Sequence, residues 1–366
     1  NERHRHDESF DKMSLLNDVS GFDFEASSDI EVENLATAIF SSIHAEGKAL
    51  LASPVTAHLG ALVGQSSDLA DLIARHLVRQ VAPPSAFATP GVGCSECVAS
   101  NNINVGAGGP ALVSFDQAAY PCFWKAFLGS PAGLRSVVSD LVKVARTDPA
   151  TTSFIQPVLL FKGFAALETY RVAHSLWLQA SDSPSSISSP CPTLCRCHRR
   201  VQKDERESNE SRSKSNLVHG SGNNGCSLSL FLSALALQSR ISELWGIDIH
   251  PAATVGNGVM LDHGTGIVIG STSVIKGDNY ILHNVTLGSS GKLSSDPLAK
   301  RHPTVGKGVS LGAGATLLGD IEVGDGTVVG ACAVLTKSVR ARSTVVGVNH
   351  VVGGGGGAQK NPKSKL

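Results

Sequence analysis

From Ile249 onward a bulky aliphatic residue returns every six positions, at Ile249, Val255, Leu261 and Ile267, with weaker members at Ser273 and Asn279 before Val285. After a break the period resumes at Val305, Leu311, Leu317, Val323, Val329 and Leu335. Gly often follows the aliphatic residue, as at Gly256, Gly306, Gly312, Gly324 and Gly330. Six is the period of a short strand plus a tight turn wound around a narrow core, and it fits neither the 3.6 of a helix nor the 2 of a straight strand. Three units make one coil. Coils stack about 4.8 Å apart so that each strand satisfies its neighbour's backbone, and glycine meets the dihedral demand of the corners. The expected fold of residues 247–347 is therefore a left-handed parallel β-helix of hexapeptide repeats. The 38 glycines and the aromatic content of only 5% are its compositional trace.

Upstream the period changes. Between about Val32 and Gln80 apolar residues recur at three and four (Leu35, Ile39, Ile43, then Leu69, Leu72, Ile73, Leu77), and helical texture returns from about Asp116 to Gln179. The fold class is α+β, an N-terminal α-helical domain over 32–179 followed by the β-helix, with a connecting helix over 227–246. Residues 81–112, with Pro83, Pro84 and a glycine-rich run, read as a loop inserted in the helical domain. Residues 180–226 are Ser-rich, then charged, and read as a low-complexity insertion with little to bury. The acidic opening, residues 1–31, and the tail, residues 348–366, are expected to be disordered or flexible.

Charge and cysteine exclude several classes. Lys plus Arg and Asp plus Glu are both 31, so the chain lacks the basic excess of a nucleic-acid binder. The best apolar run, Leu228 to Leu237, is too short to span a membrane. The eight cysteines are no disulfide framework and point to a reducing compartment. Cys191, Cys195, Cys197 and His198 match no common zinc finger, and Cys94 and Cys97 sit in a glycine-rich loop rather than at a helix start. No metal is expected. Cys332, among small residues of the repeat, reads as packing rather than as a nucleophile.

The break in the repeat is the loop Gly288 to Thr304, which carries Lys292, Lys300, Arg301 and His302. Solenoids tolerate insertions as corner loops, and such loops commonly carry function. His250, His263, His283, Asp248 and Asp262 lie in the preceding repeat. Polar residues on outward positions also suit a plain solvated face, but a polar cluster gathered on a thin aliphatic scaffold has little structural reason to exist.

The segments "DIHPAATVGNGVMLDHGTGIVIG", "LHNVTLG" and "RHPTVGKGVSLGAGATLLGDIEVGDG" closely resemble the serine O-acetyltransferases, and "RTDPATTSFIQPVLLFKGFAALETYRVAHSLW" resembles that family's helical N-terminal domain. The resemblance implies transfer of an acetyl group from acetyl-CoA to the hydroxyl of L-serine, the first step of cysteine biosynthesis from serine, by direct transfer in a ternary complex. It implies His263 as general base with Asp248 as its carboxylate partner. Arg301 and His302 would take the serine carboxylate, and Asp148 and Asp262 the ammonium. Gly288, Ser289, Ala313 and Lys337 would contact CoA. It also implies a homotrimer with active sites between subunits, a dimer of trimers through the helical domains, and O-acetylserine sulfhydrylase as a partner. The sequence departs from the family pattern at Ser271, where Glu is usual, and at Ser289 and Ser290, in place of Gly and Thr. The family's C-terminal tail, which often ends in Ile, is replaced by an ending in Ser364-Lys365-Leu366. The compartment expected is the cytoplasm, with plastid and, from that ending, peroxisome as alternatives. Competing readings are another hydroxyl acceptor such as a sugar, a zinc hydratase using three His at a subunit interface, and a non-catalytic scaffold.

Overall fold

The structure, a computed structural model, describes residues 19, 22–81, 124–181, 224–291 and 299–353. Cys94, Cys97, Cys122, Cys191, Cys195, Cys197, His198, Lys292 and the terminal Ser-Lys-Leu lie outside the described residues. The chain divides into two units, Asn1–Leu244 and Trp245–Leu366.

The first unit is helical: α1 (Asp29–Leu50), α2 (Ala57–Gln65), α3 (Leu69–Val81), α4 (Lys125–Leu128), α5 (Pro131–Thr147), α6 (Ile155–Leu160), α7 (Lys162–Ser181) and α8 (Asn224–Trp245). Helix α1 begins at Asp29, three residues ahead of the expected boundary, because Ser28 and Glu31 form a reciprocal capping box. The Glu31 carboxylate accepts from Ser28 N at 2.7 Å. The segment before it is tied to α5, since Arg135 donates to the carbonyls of Phe24 (2.7 Å) and Ser27 (2.9 Å). The disorder expected up to residue 31 therefore does not hold for Phe22 to Asp29.

Ile39, Ile43, Leu72, Leu77, Leu141 and Tyr170 are among the fully buried side chains of this unit, each contributing about 1.5–3 kcal/mol by leaving water. An ionic group sits in the same interior. Arg171 of α7 bonds Asp140 of α5 at 2.7 Å through Nε and 2.6 Å through a terminal nitrogen, with Glu168 Oε1 3.8 Å from Nε. Burial pushes the Glu168 carboxyl well above the usual range, with Asp140 adding to the rise. Helices α7 and α8, on either side of residues 182–223, pack through Leu176, Ala180, Leu230 and Ala234, with Trp177 edge-on to Phe231 at 4.7 Å.

The second unit is a β-helix of three parallel sheets. The first sheet stacks β1 (Asp248–Ile249), β4 (Val268–Ile269), β7 (Thr286–Gly288), β10 (Thr316–Leu318) and β13 (Val334–Leu335). The second stacks β2 (Thr254–Val255), β5 (Val274–Ile275), β8 (Thr304–Val305) and β11 (Glu322–Val323). The third stacks β3 (Met260–Asp262), β6 (Tyr280–Leu282), β9 (Ser310–Leu311), β12 (Val328–Val329) and β14 (Thr344–Val346). It ends with β15 (His350–Gly353), which pairs antiparallel with β14, so the described start of the expected flexible tail is a strand that folds back on the last coil. The architecture is the left-handed parallel β-helix with a helical N-terminal region that the period implied.

The register corrects one detail of the repeat. Ile269 pairs with Leu287 and Leu317 with Leu335, eighteen residues on, but Ile249 pairs with Ile269, twenty on. The first coil carries two extra residues. The inward column continues from Leu261 not to Ile267 but to Ile269, Ile275, Ile281 and Leu287, all aliphatic and buried. Ser273 and Asn279 are therefore not weak members of that column. They occupy a second buried column two residues before the first, which Ala253, Ala315 and Ala333 share with Val259, Ile267, Val285 and Val309. Asn279 is fully buried and satisfied: its Oδ1 accepts from Val309 N at 2.6 Å and its Nδ2 donates to Lys276 O at 3.2 Å.

Candidate active site

The two extra residues fall at the corner between β3 and β4. Asp262 pairs with Leu282, and Asn284 N bonds Thr265 O, so four steps of chain from Asp262 to Gly266 run beside two on the next coil. The surplus pushes the corner outward, and His263 is the residue it lifts. His263 has φ 56° and is followed by Gly264 (φ 71°) and Gly266 (φ 78°). Left-handed backbone is unfavourable for a β-carbon residue, and such strain clusters where a side chain must be presented. The His263 side chain is 74% exposed, with Nε2 3.9 Å from Asp262 Oδ1. The His283 ring, one coil on, stands edge-on to it at 5.9 Å. Asp262 itself is held by Tyr280, whose hydroxyl donates to Oδ2 at 2.6 Å.

The end of the corner loop builds a second cluster on Thr272. Its hydroxyl accepts from the backbone N–H groups of Arg301 (3.0 Å) and His302 (3.1 Å) and lies 2.8 Å from His302 Nδ1. Thr272 N–H donates to the same Nδ1 at 3.2 Å. A backbone N–H only donates, so Nδ1 carries the lone pair and the ring proton is on Nε2. Burial, then the neighbouring Arg301 and Lys300 charges, push the His302 pKa down, which keeps the ring neutral. His302 thus presents an Nε2–H donor beside the Arg301 guanidinium, which itself donates to Ser271 Oγ at 2.9 Å. Lys300 Nζ fastens the turn by donating to Thr272 O (2.6 Å) and His302 O (2.7 Å). His250 follows the same logic: Ala252 N–H donates to its Nδ1 at 3.0 Å, and burial lowers its pKa while Asp248 opposes the shift.

Of the residues singled out in the sequence, His263 and Asp262 stand together, and Arg301 and His302 stand together beside His250. Asp248 opens β1 and pairs with Val268, five residues past His263 on the next coil. Asp148 belongs to the helical unit. It caps the C-terminus of α5, where the helix dipole disfavours a carboxylate, and it accepts from Ala150 N (2.8 Å) and the Thr151 hydroxyl (2.9 Å). Gly288 closes β7 opposite Leu318 of β10, Ser289 follows it, Ala313 is half-buried two residues after β9, and Lys337 is exposed just past β13. Cys332 is not in the core: it is exposed at a left-handed corner with φ 56°, because its position is a turn and not a strand. The reading from residues missed Thr272 and Tyr280. Each acts through a partner eighteen or thirty residues away, and only the coil register brings them close. Among the described residues no group of three or more His, Cys, Asp or Glu side chains is placed to hold a metal ion, and no helix is long and apolar enough to cross a membrane.

Residues 302–337 match the family model "Bacterial transferase hexapeptide (six repeats)", and residues 116–169 match "Serine acetyltransferase, N-terminal". Among curated proteins, the chain is 39% identical over 178 residues to "Probable serine acetyltransferase 5" of Oryza sativa subsp. japonica, covering 48% of this chain and 38% of that protein. It is 41% identical over 161 residues to "Serine acetyltransferase 2" of Arabidopsis thaliana, covering 44% and 35%. The chain thus spans well under half the length of these curated relatives. Among solved structures, "Soybean Serine Acetyltransferase Complexed with Serine" superposes with a TM-score of 0.61 at 30% identity, over 87% of this chain and 98% of that one. "Serine Acetyltransferase- Complex with Cysteine" superposes with a TM-score of 0.59 at 28% identity, over 86% and 99%.

Proposed function

The chain belongs to the serine acetyltransferase family, and from that membership we propose that it transfers the acetyl group of acetyl-CoA to the hydroxyl of L-serine, giving O-acetyl-L-serine and CoA. The observation that carries the reading is the two-residue slip that lifts His263 out of the ladder beside Asp262. Left-handed corners recur along this solenoid, at Asn284, Cys332 and Arg342 among others; what sets His263 apart is that its corner carries the two surplus residues and holds an exposed imidazole beside a carboxylate, where a base can reach its substrate.

In the reaction proposed, serine enters as a zwitterion. Its carboxylate meets the Arg301 guanidinium and the Nε2–H of His302, two donors of which one is charged and one neutral. Its ammonium meets Asp262, the carboxylate beside the base. His263 takes the hydroxyl proton as the serine oxygen attacks the thioester carbonyl, and Asp248 stabilises the imidazolium formed. The tetrahedral intermediate collapses by breaking the carbon–sulfur bond, and the imidazolium returns the proton to the departing CoA sulfur. Backbone groups near Gly288, Ser289 and Ala313 contact CoA, and Lys337 meets its phosphate. No acyl-enzyme forms. A base that is 74% exposed in one chain sits in water, where its interactions are weak. A homotrimer in which the neighbouring copy covers His263 would supply the dry site that the chemistry favours, and pairing of trimers through the helical domains completes the assembly proposed.

The test is CoA thiol release from acetyl-CoA with L-serine, using the wild type and His263→Ala. The expected result is serine-dependent turnover that falls about 10²–10⁴-fold in the variant, the usual contribution of a positioned general base. Turnover with a sugar hydroxyl but not with serine would replace the acceptor.

A further inference from the structure

We propose that Tyr280 is a positioning residue of this site, fixing the Asp262 carboxylate so that Oδ1 alone faces the substrate ammonium and His263. The inference rests on the assignment of Asp262 to the ammonium of serine. Tyr280 lies on β6 opposite Met260 of β3, two residues short of Asp262's own partner Leu282. Its ring must therefore reach diagonally across the ladder, a span that long aromatic side chains cover. The bond it makes, 2.6 Å from hydroxyl to Oδ2, is short and charge-assisted. Asp262 ends β3 with its side chain 21% exposed, next to the left-handed His263, so the direction of its carboxylate depends on the partner it finds there.

The phenol divides the labour of the two carboxylate oxygens. Oδ2 is committed to Tyr280. Oδ1 lies 3.9 Å from His263 Nε2 and accepts no hydrogen bond from the described residues. An ammonium arriving between Asp262 and His263 therefore meets a carboxylate already turned toward it, and the entropy of orienting that group is spent in folding rather than in binding. Without the phenol the carboxylate is free to rotate about its side-chain torsions, and Oδ1 no longer has a fixed place beside the base. Tyr280 touches neither the reacting oxygen nor the thioester in this scheme. Its effect belongs in serine binding.

The experiment is steady-state kinetics on four proteins: wild type, Tyr280→Phe, Asp262→Asn and the double variant, each checked for an unchanged melting temperature. Phe keeps the ring and its packing and removes only the donor. The expected result is a KM for serine raised about tenfold in Tyr280→Phe, the cost of roughly one charge-assisted hydrogen bond, with the KM for acetyl-CoA unchanged and kcat lowered less than threefold. In the Asp262→Asn background the same Phe substitution should change the serine KM by less than twofold, because the carboxylate through which it acts is gone. A wild type that turns over serine while Tyr280→Phe leaves its KM within twofold overturns the role of Tyr280 alone. A tenfold effect that persists in the Asp262→Asn background also overturns it, since it would then run through packing. A wild type with no serine-dependent turnover overturns the activity and this role together.

Discussion

Gly270 lies so close to His302 that a Cβ there would fall 2.1 Å from Nε2, the atom given to the serine carboxylate. The imidazole is 8% exposed and pinned at its other nitrogen by Thr272, so it has no open direction in which to yield. Gly270→Ala should therefore displace the ring or the corner that carries it. The expected outcome is a KM for serine raised at least about tenfold, with the fold retained, measured by kinetics beside circular dichroism. A 1 Å misplacement of a positioning group is enough for such a loss. His302 and Arg301 were legible from the sequence because they stand in a loop that breaks a strong period. What fixes them was not. Thr272 is an ordinary outward residue of the repeat until the register sets it against a loop end thirty residues later, and the Nε2–H tautomer of His302 follows from that contact.

The same division holds for the coils. The period of six gave the β-helix its span, but reading it straight through put Ile267, Ser273 and Asn279 in one column with Leu261, whereas the pairing of Ile249 with Ile269 starts the next coil two residues late. A slip of two keeps the inward and outward alternation, so aliphatic residues still fall inside and the sequence alone shows only a run of weaker members. The slip and the base coincide at His263. Deleting Gly264 and Thr265 would restore an eighteen-residue first coil and set His263 directly in line with His283. This variant should stay folded, with a melting temperature within a few degrees of the wild type, and should lose at least about 100-fold in turnover. A deletion that keeps full activity would mean that the raised corner has no catalytic purpose.

At the scale of the whole molecule the stability should fall in mild acid, and His76 of α3 makes the effect measurable. Burial pushes its pKa down to about 4, against partial opposition from a hydrogen bond with the Leu159 backbone. The unfolded chain binds a proton below about pH 6.5 that the folded chain refuses until about pH 4, so stability is complete above pH 6.5 and declines as the pH falls through that window. Between pH 7 and pH 5 the wild type should lose about 2 kcal/mol more than His76→Gln, read from urea midpoints at the two pH values. His250 and His302, whose pKa values burial also lowers, act in the same direction in the β-helix. The helical and β-helical units were both evident from their periods, 3.6 and 6. The buried Arg171, Asp140 and Glu168 group was not, since charged residues within an amphipathic run read as a solvated face. The proposed reaction is tested most directly by the release of CoA thiol from acetyl-CoA by the full chain. Turnover should require L-serine and collapse with His263→Ala. A folded chain that releases no thiol with serine, or releases it equally well without His263, would contradict the assignment of reaction and base.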